Sequence, residues 1–207
     1  MEDILEVYQR SYNEHEVLVC MDETSKQQVK ETRIPIAPEV GMLEKFDYEY
    51  ERNGVSNLFM LFAQLEGWRH VKVTDRHTKI DWAHLIKELV DEHYPKKKII
   101  LVMDNLNTHK LGSLYEAFEP EEARRIAERL EIHFTPKHGS WLDMAEIEIG
   151  VMTRQCLNRR IPDQETLRSE LKAWQEQRNQ KSVRVNWRFT TENARIKLKS
   201  LYPSIQC

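Results

Sequence analysis

The chain has 207 residues, 40% hydrophobic and 31% charged, with a net charge of −3 at pH 7. That length suits one sizeable domain with at most a small appendage, and no apolar run approaches the ~18 residues needed to span a bilayer. Cys20, Cys156 and Cys207 are too scattered for a CxxC pair, which argues against a disulfide framework or a zinc ribbon. The acidic start, "MEDILEVYQRSYNEHEV", has no signal-peptide layout, so a soluble protein of a reducing cytoplasm is expected.

Charge is unevenly spread. Residues 150–207 carry 12 Lys and Arg against 5 Asp and Glu, net +7, which leaves residues 1–149 at −10. A basic end beside an acidic body fits either a phosphate-backbone contact surface or an exposed helix face rich in arginine.

In chain order, residues 3–12 predict a lead-in helix. "EVLVCMDET" predicts a strand in which Val17, Leu18, Val19 and Cys20 precede Asp22 near its end. "RIPIAPEVGMLEKFDYEYERNG" is broken by Pro35, Pro38 and Gly41 and reads as loop or edge strand. Asn53-Gly54 is a hairpin-turn signal ahead of a second strand, "VSNLFMLFAQL". Glu66-Gly67 then turns into a third, "WRHVKVT".

"TKIDWAHLIKELVDEHY" predicts a helix with Ile80, Ala83, Leu85, Ile86, Leu89 and Val90 on its apolar face, stopped by Pro95. "KKKIILVMDNLNTHK" supplies a fourth strand. A helix over 120–130 and a short fifth strand, "EIHFTP", follow. "WLDMAEIEIGVMTRQCL" is helical, its Leu142, Ala145, Ile149, Met152 and Cys156 recurring at 3, 4, 3 and 4. Asp163 is a good N-cap for a further helix with Leu167, Leu171 and Trp174 on its buried edge, and a last helix covers 191–201. Three successive strands predict an antiparallel meander. The fourth and fifth, each reached through a helix, predict parallel neighbours in a mixed sheet with helices on its faces.

Acids stand at the ends of these elements. Asp22 and Asp104 each follow an apolar strand, and Glu146 and Glu148 sit on the helix after the fifth. An unpaired charge is costly to bury, but carboxylates suit Mg²⁺, which takes oxygen ligands at about 2.0–2.1 Å. A pair of such ions about 3.5–4 Å apart can activate a water and stabilise the leaving oxygen of a phosphodiester. Singly, the same acids also read as a turn cap, an Asx turn and a solvated helix residue. On the helical wheel Glu146 and Glu148 flank the apolar stripe at similar angles, so periodicity leaves both open as the third acid.

"CMDET", "LVMDNLNTHK" and "HFTPKHGSWLDMAEIEIGVMTRQCL" resemble, in order, the three catalytic blocks of DDE transposases of the mariner-like superfamily, in its bacterial insertion-sequence branch. The resemblance runs from about Val17 to the C-terminus. It implies a ribonuclease H-like α/β fold: a mixed five-stranded sheet flanked by helices, with a basic helical extension over 158–207 and a lead-in over 1–15. It implies metal-dependent DNA cleavage and strand transfer at transposon ends by Asp22, Asp104 and Glu146, which would hold two Mg²⁺ or Mn²⁺ ions; matching "LDMAE" to the third block selects Glu146 over Glu148.

Asn105 and His109 are implied as supporting residues. His109 either orients a metal-bound water or touches a phosphate, or it simply packs on the sheet at a helix start. Lys137, His138, Arg154, Arg159, Arg160, Arg184 and Arg188 are the expected DNA contacts. The implied partners are transposon-end and target DNA, a second copy of the chain and a separate DNA-recognition chain, in a bacterial, nucleoid-associated setting with no membrane.

Three departures stand out. "PEVGMLEK" lies where relatives carry a Gly-Arg-Pro, Asp143 stands where they often have Asn, and the 21 residues before Asp22 leave no room for helix-turn-helix domains. A catalytic domain by itself is therefore expected. The alternatives are a silent relic that binds DNA or dimerises, and a stand-alone metal-dependent nuclease.

Overall fold

The computed structural model describes residues 1–37, 39–43, 47–137 and 139–202. Its elements are α1 (Glu2–Gln9), β1 (Glu16–Glu31), β2 (Tyr50–Ala63), β3 (Trp68–Thr74), α2 (Lys79–Glu88), β4 (Lys98–Met103), α3 (Leu111–Ala117), α4 (Pro120–Ala127), β5 (Leu130–Phe134), α5 (Met144–Met152), α6 (Gln164–Gln180) and α7 (Thr191–Lys197). The five strands form one sheet in the order β3-β2-β1-β4-β5. As the element order predicted, β1, β2 and β3 pair antiparallel and β4 and β5 pair parallel; the parallel pairing of β1 with β4 joins the two halves.

The near-continuous apolar run of β4 reflects a strand covered on both faces. Ile99, Leu101 and Met103 point into a core with Trp82, Leu85 and Ile86 of α2, while Ile100 and Val102 point into a second core with Leu5, Ala145, Leu167 and Trp174. The same alternation in β1 puts Val19 and Met21 on the α2 side and Leu18 and Cys20 on the α5 side. Asp22 therefore continues the α5 side, and Glu23 the α2 side.

Several expectations need correction. β1 does not end near Asp22. It runs on to Glu31 because β2 keeps pairing with it, from Cys20↔Phe62 to Glu31↔Tyr50. Asn53-Gly54 is not a hairpin turn. It lies inside β2, where the register slips between Gln27 and Val29 and Gly54 adopts φ 97°, so the glycine serves a β-bulge. The β1–β2 connection is instead the stretch 32–49, of which residues 38 and 44–46 lie outside the described residues.

The helix expected over 120–130 stops at Ala127, and Leu130 opens β5. α3 was not anticipated, because only Ser113 and Leu114 of its seven residues are buried and no period can show. Trp82, absent from the predicted apolar face of α2, is wholly buried, whereas Ile80 is 40% exposed. The chain after α2 continues as a π turn, Leu89–His93, and α5 likewise continues as Thr153–Leu157.

The basic C-terminal part is stitched to the sheet. Asp163 caps α6 by accepting from the Thr166 N–H at 2.7 Å. The Val29 N–H donates to the Ile161 carbonyl, and the Val185 N–H to that of Gln64. Gly67 (φ 69°) lets the β2–β3 turn lie against this segment; a Cβ there would come within 2.5 Å of the Ser182 backbone. Among the described residues, no helix is long and apolar enough to cross a membrane.

Candidate active site

The parallel pairing of β1 with β4 ends at Met21↔Met103. Asp22 and Asp104 are the next residues on these neighbouring strands, so the register alone brings them to one edge. The third side comes from α5. A single 3-10 turn, Ser140–Leu142, leads into it, and the Tyr8 hydroxyl pins that turn by donating to the Leu142 carbonyl at 2.5 Å. Asp143 caps α5, accepting from the Ala145 N–H at 2.8 Å, and Glu146 stands exposed in the first turn. A cleft of about 390 Å³ lies between, lined by Asp22, Asp104, Asn105, Lys137, Asp143 and neighbours.

The acids disturb one another. Burial pushes the Asp22 carboxyl up to about 6, the charges of Asp104, Glu146 and Glu23 add to this, and the 2.7 Å hydrogen bond from the Glu23 N–H opposes it. Asp143 is only 3% exposed. Burial holds its carboxyl well above the usual carboxylate range, reinforced by Asp22, Asp104 and Glu146 and opposed by the Ala145 N–H. Its Oδ2 is buried without a hydrogen-bond partner.

Asp22, Asp104 and Glu146 do not bring their ligand atoms within 4.8 Å of one another. Asp104 is turned onto an imidazole.

That imidazole is His109, fully buried. Its Nδ1 lies 2.6 Å from Asp104 Oδ1 and its Nε2 3.0 Å from Glu23 Oε2. Burial alone would depress it, but the two carboxylates outweigh burial and raise it to about 9. His109 is thus a cationic bridge between β1 and the residue after β4. Its ring stacks beside Trp82 of α2, and it also grips a site carboxylate.

The two helix acids separate completely. Glu148 is buried and clamped between Arg69 Nε at 2.8 Å and Arg178, which reaches it through Nε at 2.7 Å and Nη2 at 3.2 Å. Glu146 is exposed, and its charge adds to the upward push on the Asp22 and Asp143 carboxyls.

Of the expected DNA contacts, Lys137 is exposed and lines the cleft, as does Asn105, expected as a supporting residue. His138 lies outside the described residues. Arg154 and Arg159 share a depression with Glu170, and Arg184 lines a different one with Tyr12 and Glu66. Arg159 is paired with Glu170 and Arg160 with Glu31. Among the described residues, Arg154, Arg184 and Arg188 have no carboxylate within 4.0 Å, and all three are exposed.

Two residues of the site were not anticipated. Asp143 stood out only as a departure, although an acid before an apolar helix is a readable N-cap signal. Glu23 carried no signal, since its partner His109 is 86 positions away.

The donor set fits a hard divalent cation: carboxylate oxygens from Asp22, Asp104, Asp143 and Glu146, one of them buried and unpartnered. A mixed sheet in this order, with acids at the open edge of its parallel strands facing an acidic helix, is the ribonuclease H-like class. The model of the DDE superfamily endonuclease family matches residues 17–168, and the chain belongs to that family.

Its fold is shared with solved assemblies of a mariner transposase. The Mos1 transposase paired-end complex with left transposon end superposes with a TM-score of 0.57 at 14% identity, covering 88% of this chain and 60% of that one. The Mos1 strand transfer complex gives 0.56 at 15%, covering 88% and 58%. The Mos1 mariner paired-end complex with Mn gives 0.58 at 14%, covering 88% and 55%. The chain therefore spans less than two thirds of the length of these relatives. No curated protein matches it.

Proposed function

We propose that this chain is the catalytic domain of a DDE transposase of the bacterial insertion-sequence branch, cutting DNA at transposon ends and joining the freed ends to target DNA. The observation that carries this reading is the register Met21↔Met103, which brings Asp22 and Asp104 to one edge of the sheet, in a cleft they share with Asp143.

Asp22, Asp104 and Glu146 would hold two Mg²⁺ or Mn²⁺ ions, with Asp143 Oδ2 as a further oxygen donor. Bound there, such ions supply activation of a water or hydroxyl and stabilisation of the leaving oxygen. The protein's own groups do the positioning. His109 holds Asp104 from behind through Nδ1, and Glu23 holds His109. Asp143 fixes the start of α5 and hence the reach of Glu146. Lys137 on the wall would meet a scissile or flanking phosphate, and Arg154, Arg184 and Arg188 would meet backbone phosphates farther out.

In cleavage, water attacks the phosphorus, the P–O3′ bond breaks, and a 3′-hydroxyl and a 5′-phosphate result. In joining, that 3′-hydroxyl attacks a target phosphodiester and displaces a new 3′-oxygen. Each step exchanges one P–O bond for another.

Ile34, Val40, Met42 and Leu43, half to fully exposed in the β1–β2 connection, support self-association, consistent with a homodimer acting on paired ends.

Nicking of supercoiled DNA with Mg²⁺ or Mn²⁺ tests the reading, wild type beside Asp104→Ala. Nicking by the wild type alone is expected, and a strand-transfer assay then separates a transposase from a simple nuclease. No metal-dependent nicking by the wild type would favour a silent DNA-binding relic, and equal nicking by both would remove the site.

A further inference from the structure

Away from the acidic cleft, β3 turns Trp68, His70 and Lys72 toward α2, since Arg69, Val71 and Val73 take the opposite face. Below them α2 ends in the π turn Leu89–His93, closed by the Tyr94 N–H donating to the Leu89 carbonyl at 2.9 Å. In a regular α-helix, residues five apart point about 140° away from each other. The wider π turn brings Glu88 and His93 back to one side, and such turns are frequent at functional sites.

The result is a cluster of His70, Glu88 and His93 whose ligand atoms all lie within 4.8 Å of one another. Glu88 Oε1 is 2.9 Å from His70 Nε2 and 3.6 Å from His93 Nε2. These distances bracket the edge of a tetrahedron built on bonds of about 2.0–2.1 Å, which is roughly 3.3–3.4 Å. Both Nε2 atoms are buried and neither makes a well-aligned hydrogen bond. Lys72, on the same face of β3, pairs with the second oxygen, Oε2, which orients the carboxylate and leaves Oε1 to the imidazoles. Trp68 covers the His93 ring at 4.8 Å. All three ligand side chains are 17–24% exposed, so the cluster lies near the surface rather than deep in the core.

We propose that His70, Glu88 and His93 bind one borderline transition-metal ion, of which Zn²⁺ is the probe, independently of the carboxylate cleft. Two imidazoles and one carboxylate suit Zn²⁺, Co²⁺, Ni²⁺ or Cu²⁺ and discriminate against Mg²⁺. Three protein ligands leave the remaining positions to water or an incoming group. The ion ties β3 to the end of α2 across the open side of the sheet.

Zn²⁺ is titrated calorimetrically into the full chain in excess Mg²⁺, beside Asp104→Asn, His70→Gln and His93→Gln. The expected result is one micromolar or tighter site in the wild type and in Asp104→Asn, weakened more than about tenfold in each histidine variant. At a hundredfold excess over Kd, Zn²⁺ raises the melting temperature by about 5–10 °C in the first two proteins and not in the others. Absence of a tight site in the wild type overturns the proposal, as does binding lost in Asp104→Asn and kept in both histidine variants. Should the variants fail to fold, the imidazole ¹H–¹⁵N signals of the wild type read the same site: shifts at His70 and His93 on adding Zn²⁺ support it, and unchanged signals overturn it.

Discussion

His109 shows how one buried side chain organises the cleft. Its folded pKa of about 9 lies above the unfolded value of 6.5, so its contribution is fully present below pH 6.5 and disappears as pH rises through 9. The whole shift corresponds to at most about 3 kcal/mol. Thermal melts in chelator between pH 6 and 10 should show wild-type stability falling across that window, and His109→Gln should be less stable at pH 6 and lack the slope.

Asp22 has the opposite sign. Its folded pKa of about 6 exceeds the unfolded 3.8, so the fold is penalised increasingly as pH rises from 3.8 through 6 and fully above that. In chelator at pH 8, Asp22→Asn should therefore be more stable than wild type, by about 1–3 kcal/mol in a urea titration. Adding Mn²⁺ should stabilise the wild type and leave the variant unmoved at this cleft.

At the scale of one helix, α5 carries two acids with opposite duties. Glu148 faces inward between Arg69, fully buried, and Arg178. Glu148→Gln leaves two guanidinium groups without their counter-charge and should cost about 3–5 kcal/mol in urea unfolding. Glu146→Gln removes an exposed acid and should stay within about 0.5 kcal/mol of wild type while abolishing Mn²⁺-dependent nicking. Helical periodicity could not separate the two, because both flank the apolar stripe. Only the position of Arg69 on β3 and Arg178 on α6 decides which flank is a core and which is a cleft.

Across the whole molecule, the basic C-terminal part is bound into the fold. Arg160 meets Glu31, Arg178 meets Glu148, and Arg195 grips Glu2 at 2.7 and 2.8 Å, so part of the net +7 of residues 150–207 neutralises the acidic body. Leu167, Leu171, Trp174 and Ala194 fill the core that also holds Leu18 and Met60. A chain ending at Leu157 would expose that core face and strand Glu148, and it should lose cooperative thermal unfolding when followed by circular dichroism. Among the described residues 150–202, the exposed Arg154, Arg168, Arg184 and Arg188 have no carboxylate partner, and their charge is available to a phosphate backbone.

The sequence by itself determined the five strands, the antiparallel sense of the first three and the parallel sense of the fourth and fifth, because alternation, helical period and helix crossovers are local signals. It also placed the cap of α6 at Asp163 and the turn at Gly67. It misplaced Asn53-Gly54, because a glycine that serves a bulge and one that serves a hairpin look alike until the partner strand's register is known. Tertiary structure alone decided that Asp143 joins the site, that Glu23 holds Asp104 through His109, and that a π turn swings His93 beneath His70. Each depends on residues far apart in the chain, or on a helical geometry that residue spacing does not encode, and is set by which strands pair and which helix covers them.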